Sequence, residues 1–362
     1  MLRKTALHSA HVGSNAKMGG FAGYDMPLYY DLGVKQEHLW VRENAGIFDV
    51  SHMGQVSISG AGAQDFLEHV TPSSFGKLGI NRTKYTVFTN EQGGIIDDLM
   101  VTKTDEDEFH LVINAGCKDN DIAWIQKNLP QGIEFKNYDD WALIALQGPK
   151  AESVIHEALG IDLSDLPYMT VWYQDYNMFI SRVGYTGEDG FELSVKNDDA
   201  PALWDKLLSH DAVKPIGLAA RDSLRLDMGY CLYGHDIDAQ TSPVEGDLSW
   251  VMGKANTSFI GSDVILPHKE GVSRKRVGIL LTGKGIAREG AEIRNANDEV
   301  IGTLTSGGFS PTLEKAIGQG YVPIEYAQEG TEVLINVRGR NIEAQVAKMP
   351  FIAAKTKSMK PK

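Results

Sequence analysis

Two adjacent carboxylates, Asp97 and Asp98, lie within the segment GGIIDDLMVTK, whose other residues are typical of a β-strand. Because strand side chains alternate, Asp97 shares a face with Ile95, Leu99 and Val101, and Asp98 lies on the opposite, less apolar face. A carboxylate in a protected space needs a cation or hydrogen-bond donors to stay ionised, and such groups cluster at functional sites. The pattern makes Asp97 a candidate functional acid; the alternative, that each aspartate caps a turn or pairs with a surface lysine, stays open.

A second candidate group lies in SRVGYTGEDGFELSV, where a glycine-rich turn precedes a predicted strand. Glu192 stands between the apolar Phe191 and Leu193, so its carboxylate points away from the face that they share. Tyr185 comes just before the turn. A tyrosine can stack on a heterocycle while a carboxylate accepts hydrogen bonds from paired ring N–H groups. These residues predict a heterocycle site, with a surface hairpin as the alternative.

Two arginines in GLAARDSLRLDMGY form the third candidate group. Arg221 and Arg225 are four residues apart on a predicted helix and therefore share a face. The guanidinium fork matches the geometry of a carboxylate, so this face is a candidate clamp for an anionic ligand. Asp222 and Asp227 are near enough to pair with the arginines, and internal pairing is the alternative.

The elements that must position these residues predict an α+β fold followed by a β-rich region. A helix through LGVKQEHLWVREN, capped by Asp31 and stopped by Gly46, precedes a succession of short strands and helices. From about Arg276 short strands separated by glycine-rich turns indicate a barrel or a sandwich. We place a domain boundary in the polar segment between Phe259 and Arg276.

Composition and motifs exclude several classes of function. The 362 residues carry a net charge of −13, which argues against a nucleic-acid binder that depends on bulk positive charge. No apolar run approaches the roughly 20 residues of a membrane span, and Cys117 and Cys231 form no CxxC pair, which fits a reducing compartment. ISGAGAQDF matches the first two glycines of a dinucleotide motif, but Asp65 stands at the third position. We expect no metal, nucleotide, nucleic-acid or membrane binding.

Together these segments resemble the aminomethyltransferase, or T-protein, family of the glycine cleavage system. The resemblance covers nearly the whole chain, and its segments occur in the family's order: KMGGFAGYDMPLYY, AGIFDVSHMGQ, NEQGGIIDDLMVTK, VINAG, ALQGP, GYTGEDGFELSV, GLAARDSLRLDMGYCLYGHDID and TSGGFSPTLEKAIGQGYVP. It implies three domains in a clover-leaf arrangement: two mixed α/β domains with antiparallel sheets and a C-terminal all-β barrel-like domain. The implied bounds are 1–50 with 140–260 for a discontinuous folate-binding domain, 51–139 for an inserted domain carrying the IIDDL strand, and 270–362 for the barrel.

The resemblance also implies the reaction. The family transfers the one-carbon unit of an aminomethyl group from the lipoyl arm of its partner, the H-protein, to tetrahydrofolate as co-substrate. The products are 5,10-methylenetetrahydrofolate, ammonia and dihydrolipoyl H-protein. The expected location is the cytoplasm of a bacterium, or the mitochondrial matrix if a transit peptide has been removed.

Site residues follow from matching positions in the family's motifs. The essential aspartate corresponds to Asp97, the first of the pair, and the glutamate that binds the pterin corresponds to Glu192, with Tyr185 preceding it. The folate-side arginine corresponds to Arg221 rather than Arg225. The residues at channel-lining positions are Met53, Tyr85 and Asn114.

The C-terminal run KMPFIAAKTKSMK departs from the family pattern, because it lacks the tyrosine by which some relatives contact the folate tail. A nearby lysine is the alternative contact, and the basic tail KTKSMKPK is expected to be frayed. Two other functions stay open: a stand-alone folate-dependent demethylase of a methylated amine or sulfonium compound, and a non-catalytic folate-binding protein. Since both would bind folate, folate binding alone does not discriminate among the three.

Overall fold

The computed structural model describes residues 1–174 and 177–358. Within these residues the α-helices, in chain order, are α1 (His8–Gly13), α2 (Gly33–Glu43), α3 (Ala63–Val70), α4 (Lys118–Asn128), α5 (Ala151–Leu159), α6 (Ala200–Leu208), α7 (Leu218–Asp227) and α8 (Ser262–Ile265). Short 3₁₀ helices cover Ser249–Val251, Pro267–Glu270 and Ile324–Tyr326.

The β-strands of the same residues are β1 (Lys17–Phe21), β2 (Tyr24–Tyr29), β3 (Ala45–Asp49), β4 (Gly54–Ser59), β5 (Thr83–Thr89), β6 (Ile95–Asp105), β7 (Glu108–Ile113), β8 (Glu134–Asn137), β9 (Trp141–Gln147), β10 (Val171–Gln174), β11 (Met178–Ser181), β12 (Gly190–Lys196), β13 (Val213–Pro215), β14 (Arg274–Leu281), β15 (Glu292–Arg294), β16 (Val300–Ser310), β17 (Lys315–Pro323), β18 (Glu332–Val337) and β19 (Arg340–Ala347). Strands β1 and β2 form a separate antiparallel pair.

One sheet, sheet I, has the strand order β10-β11-β12-β9-β3-β13 and contains the strand of Glu192. Its strands pair antiparallel, except that β13 is parallel to β3. Helices α5 and α6 pack against it around a core that includes Ile144, Phe191, Leu193 and Trp204. Because Phe191 and Leu193 belong to this core, Glu192 between them faces the other side of the sheet.

A second sheet, sheet II, has the order β5-β6-β7-β4-β8 and is antiparallel throughout. Strand β6 is the predicted IIDDL strand. Its Leu99 and Val101 are buried in a core that also takes Phe66 of α3 and Ile125 of α4. The core face of β6 is therefore the face of Asp97, as alternation predicts.

The strands from Arg274 onward close into a barrel in the order β14-β17-β16-β15-β18-β19. Closure leaves no open sheet edge, and Ile279, Leu304, Ile335 and Val346 are buried in its core. The predicted fold class is confirmed: mixed α/β regions with antiparallel sheets precede a C-terminal β-barrel. The bounds given above for the three domains stay a prediction.

Two local predictions were wrong. Helix α2 begins at Gly33 with Leu32 as its N-cap, and Asp31 makes no capping hydrogen bond there. The helix ends at Glu43, and Gly46 lies inside β3, where a Cβ atom would meet Val41 at 2.5 Å. Gly46 is therefore required by close packing of a strand on the helix and does not stop the helix.

Residues 355–358, the described part of the tail that was predicted to fray, contact the rest of the chain. The backbone N–H of Lys355 donates to Gly187 O (2.8 Å), and the N–H of Tyr168 donates to Lys357 O (3.0 Å). The tail thus lies along the glycine-rich turn that follows Tyr185; residues 359–362 lie outside the described part of the chain. Among residues 1–174 and 177–358, no helix combines the length and the apolar character needed to cross a membrane.

Candidate active site

A small cavity of about 20 Å³ between sheets I and II places strand β6 of the first group next to Glu192 of the second. Met100 and Thr102 line it from β6, and Glu192 and Ser194 line it from β12. In β6 the side chain of Asp98 shares the face of Met100 and Thr102, two and four residues further along the strand. The cavity side of the IIDDL strand therefore carries Asp98.

Asp97 lies on the buried side of the strand, with 0% of its surface exposed. Asn114 holds both of its oxygens: the backbone N–H donates to Oδ2 (2.9 Å) and Nδ2 donates to Oδ1 (3.0 Å). Burial raises the pKa of Asp97, while hydrogen bonds from Asp121 and Asn114 act in the opposite direction. Asn114, predicted from its motif, is thus placed directly against Asp97.

Asp98 is half-buried and lies on the same face of β6 as Met100 and Thr102, which line the cavity. Tyr85 donates its hydroxyl to Asp98 Oδ2 (2.9 Å), and Asn114 Nδ2 donates to Oδ1 (2.9 Å). Burial, and then the charge of Asp97, raise the pKa of Asp98 to about 7. Alternation correctly predicted that Asp97 is buried, and it places Asp98 on the face of β6 that borders the cavity. The catalytic role assigned to Asp97 stays a prediction.

Arg221, Tyr185 and Glu192 lie close together on the opposite side of the site. The Arg221 guanidinium lies over the Tyr185 ring, 4.8 Å from its centroid. Burial raises the pKa of Glu192, and the positive charge of Arg221 partly offsets that effect. Arg221 Nη1 is buried and has no hydrogen-bond partner among the described residues. An unpartnered buried N–H is costly, so this atom is well placed to donate to a ligand.

Tyr185 is itself fixed in place. Its hydroxyl donates to the carbonyl oxygen of Cys231, and its ring stacks on Tyr230 with centroids 5.7 Å apart. One ring face is thus occupied by Tyr230, and the arginine lies over the ring as well. We conclude that Tyr185 orients Arg221 as much as it presents an aromatic surface.

Arg225 has a different role from Arg221, although the two share a predicted helix face. Arg225 Nη1 donates to Asp236 Oδ2 (2.7 Å), Nε to Asp222 Oδ1 (2.8 Å) and Nη2 to Ser306 Oγ (2.8 Å). Ser306 belongs to barrel strand β16, so Arg225 joins α7 to the barrel. The two-arginine clamp is therefore wrong, and the alternative of internal pairing holds for Arg225.

Met53 lines a second, strongly polar cavity of about 380 Å³. Its charged lining residues include Arg3, Lys4 and Lys118, and Gln55 lines both cavities. Met53 is thus separated from Glu192, and Gln55 lies between the two spaces. Among the described residues, no three His, Cys, Asp or Glu side chains are grouped so that they could hold a metal ion.

The sequence argument missed two residues at the site. Trp250, 66% exposed, stacks on Tyr85 with ring centroids 5.4 Å apart. It lies in a short 3₁₀ helix, where no periodic pattern marks it. Asp121, in the first turn of α4, is fully buried beside Asp97. An aspartate three residues into a helix is an ordinary helix-start residue, so its sequence position carried no signal.

Two C-terminal lysines, Lys355 and Lys357, lie in the part of the tail that the structure describes. Lys355 Nζ pairs with Glu188 (3.0 Å), and Lys357 Nζ pairs with Glu152 (2.7 Å). Both amines are thus engaged with carboxylates of the protein. Lys355 holds the tail on the turn between Tyr185 and Glu192, and Lys357 holds it on α5. The predicted lysine contact to a folate tail stays a prediction, because Lys360 and Lys362 lie outside the described residues.

Comparisons with known proteins agree with this geometry. Residues 7–256 match the GCVT N-terminal domain family, and residues 274–352 match the glycine cleavage T-protein C-terminal barrel domain family. The chain is 41% identical to the aminomethyltransferase of Bacteroides fragilis over 97% of this chain and 99% of that protein. It is 42% identical to the mitochondrial aminomethyltransferase of Flaveria pringlei over 98% of this chain and 90% of that protein.

Among solved structures, the glycine cleavage system aminomethyltransferase T of Bartonella henselae is similar along its whole length. It has 38% sequence identity and a TM-score of 0.96, and the match covers 99% of this chain and 100% of that chain. Full-length agreement in both sequence and backbone shows more than a shared fold. The chain belongs to the aminomethyltransferase, or T-protein, family of the glycine cleavage system.

Proposed function

We propose that this chain transfers the one-carbon unit of an aminomethyl group, held on the lipoyl arm of an H-protein, to tetrahydrofolate. The products are 5,10-methylenetetrahydrofolate, ammonia and dihydrolipoyl H-protein. One observation carries the proposal: the Asp98 face of β6 and the Glu192 face of β12 line a single cavity, with the unpartnered Arg221 Nη1 close to Glu192. Two acids on β6 and a polar clamp at Glu192 and Arg221 would suit a flat heterocycle bound between them, with one edge held and the other free to react.

The clamp residues would bind and orient the folate. The Glu192 carboxylate accepts hydrogen bonds from the paired N–H groups of the pterin, and Arg221 Nη1 donates to an oxygen or nitrogen of the ligand. Tyr185 keeps the guanidinium in place. Since tetrahydrofolate supplies the nucleophilic nitrogens, alignment of those nitrogens with the aminomethyl carbon is the main contribution of these residues.

The carboxylate pair would handle the protons. Two C–N bonds form to the transferred carbon, while its bonds to nitrogen and to sulfur break. Two protons leave the folate nitrogens; one ends on ammonia and one on the thiol. A group with a pKa near 7 can both accept and return a proton at neutral pH, which favours Asp98 as the residue that meets the substrate. Asp97 then acts beside it, through its charge and through the Asn114 that both share.

The proposal extends to partners and architecture. The family implies an H-protein as partner, and the charged second cavity, which opens beside Met53 and adjoins the site through Gln55, is a candidate path for its lipoyl arm. The folate-binding domain would comprise residues 1–50 and 140–260, with 51–139 inserted and 270–362 as the barrel. No metal or nucleotide has a part in this scheme.

The test compares substrates. The purified protein is incubated with tetrahydrofolate and either aminomethyl-loaded H-protein, sarcosine or dimethylglycine, and methylenetetrahydrofolate is followed. We expect product with the loaded H-protein alone, and a raised KM for tetrahydrofolate in Glu192→Gln. Product from a methylated amine would replace the proposal with a demethylase, and binding without any product would replace it with a non-catalytic folate protein.

A further inference from the structure

Asp121 is a buried acid that the scheme above does not use. Its side chain is 0% exposed, and neither carboxyl oxygen receives a hydrogen bond from a described donor. It lies in the first turn of α4, anchored by its backbone N–H, which donates to Cys117 O (2.8 Å). A carboxylate that is buried without donors is strongly disfavoured, so the ionisation state of Asp121 must differ from that of an ordinary aspartate.

The groups that face Asp121 add no positive charge. From β6 come Asp97, which it contacts, and Asp98; from its own helix end comes the Cys117 thiol. Tyr233, from the segment after α7, approaches it as a neutral phenol, because burial raises the pKa of its hydroxyl above the usual range. Lys118, next to Cys117, is directed elsewhere and donates from Nζ to the Tyr24 hydroxyl (3.2 Å).

Two touching carboxyl groups can hold only one negative charge between them at neutral pH. Asn114 supplies two hydrogen bonds to Asp97, and Asp121 receives none, so the charge belongs on Asp97 and the proton on Asp121. In agreement, burial and the neighbouring Asp97 charge raise the pKa of Asp121 to about 11. The N-terminal end of α4 favours the ionised form of Asp121, but this weak effect is outweighed by burial and by the two nearby carboxylates.

We propose that Asp121 is a positioning residue, protonated in the working enzyme, that donates a hydrogen bond to Asp97 and so keeps Asp97 ionised next to Asp98. The consequence for catalysis rests on the proposed function. The negative charge of Asp97 helps to hold Asp98 in the range where it can exchange protons with substrate. Without the hydrogen bond from Asp121, Asp97 would take up a proton. Asp98 would then lose the electrostatic repulsion from the Asp97 charge, and its pKa would fall.

Infrared difference spectroscopy of the unliganded protein tests the protonation state directly. At about pH 9, where an acid with a pKa near 7 is ionised, the C=O stretch of a protonated aspartic acid should be present in the wild type and absent from Asp121→Asn. Asp119→Asn, on the same helical turn but exposed, is the matched control and should keep the band. If the spectrum of Asp121→Asn instead lacks a band of an ionised carboxylate, Asp121 is ionised in the wild type and the proposal is overturned, whatever the activity of the variant.

Kinetics test the positioning role. Asparagine can still donate to Asp97, so Asp121→Asn should keep kcat within about threefold and leave the acidic limb of the kcat–pH profile in place. Leucine cannot donate; Asp121→Leu should lower kcat by about tenfold or more and move that limb to lower pH. The positioning role would be overturned if the acidic limb of the kcat–pH profile did not move in a folded Asp121→Leu. It would also be overturned if the leucine and asparagine variants lost equal amounts of kcat. If the leucine variant does not fold, the infrared result on Asp121→Asn still decides the matter.

Discussion

Replacing Asp98 by asparagine should separate stability from activity. The folded protein raises the pKa of Asp98 from 3.8 to about 7, through burial and the Asp97 charge. A change of this size corresponds to about 4 kcal/mol of destabilisation when the group is ionised. Asp98 is only half-buried, and asparagine would lose one of the hydrogen bonds donated by Tyr85 and Asn114. We therefore expect a net stabilisation of about 1–2 kcal/mol in the variant at alkaline pH.

The pH dependence of this effect has a defined sign. Between about pH 4 and about pH 7 the folded protein binds more protons at Asp98 than the unfolded chain does, so wild-type stability falls as pH rises through this window. Above about pH 7 Asp98 is ionised in the folded wild type, whose free energy of unfolding is lowered by the full cost of that buried charge. Asp98→Asn has no charge at this position and does not lose this stability. Near about pH 4 both side chains are neutral, and the lost hydrogen bond leaves the variant the less stable of the two.

Urea unfolding at about pH 5 and about pH 8, followed by tryptophan fluorescence, measures the difference between the two proteins. Turnover should fall by about 10²–10⁴-fold in the same variant if Asp98 exchanges protons with substrate. Glu91→Gln, which removes an exposed carboxylate from the turn before β6, is the control and should change neither quantity. A variant that is less stable than wild type at about pH 8, or that keeps nearly normal turnover, would refute the reasoning.

Four further variants address the clamp, its neighbour Arg225, the rim of the site and the tail. Arg221→Met should weaken tetrahydrofolate binding by about 10–100-fold, measured by isothermal titration, without loss of stability. Arg225→Met removes the partner of the buried Asp236 and should lower the free energy of unfolding in urea by about 3–5 kcal/mol. Equal effects of the two variants would contradict the different roles given to the two arginines. Trp250→Ala removes the stack on Tyr85, worth about 0.5–1.5 kcal/mol, and should raise the KM for tetrahydrofolate by a few-fold; an unchanged KM would place Trp250 outside the site. Ending the chain at residue 354 removes the contacts of Lys355 and Lys357 to the turn after Tyr185, and should raise the same KM while the barrel stays folded by circular dichroism.

The local sequence pattern correctly predicted the features of the structure that depend on residues close together in sequence. Alternation in β6 correctly put Asp97 on a buried face, and alternation in β12 put Glu192 opposite its core-facing neighbours. Which face of β6 lines a cavity depends on the packing of sheet II against sheet I, and this long-range contact leaves no periodic trace in the sequence. The sequence argument therefore singled out Asp97 and passed over Asp98.

The predictions that were wrong have one origin, which is contact between residues in different structural elements. Arg221 and Arg225 share a helix face in sequence, but only Arg225 meets the barrel, because Asp236 and Ser306 arrive from distant segments. Gly46 is a plausible helix stop by residue type, yet its small size is needed where β3 packs closely on Val41. The tail was predicted to fray from its composition, whereas Lys355 and Lys357 bond to Gly187 and Tyr168, partners that composition cannot reveal.

The most direct test of the account is the stoichiometry of a single turnover. Enzyme, tetrahydrofolate and aminomethyl-loaded H-protein are mixed, and ammonia and methylenetetrahydrofolate are measured together, with unloaded H-protein as the control. The account predicts equal amounts of both products in the wild type, and the loss of both in Asp98→Asn under conditions where that variant still binds tetrahydrofolate. Ammonia without methylenetetrahydrofolate, or undiminished formation of both in Asp98→Asn, would contradict it.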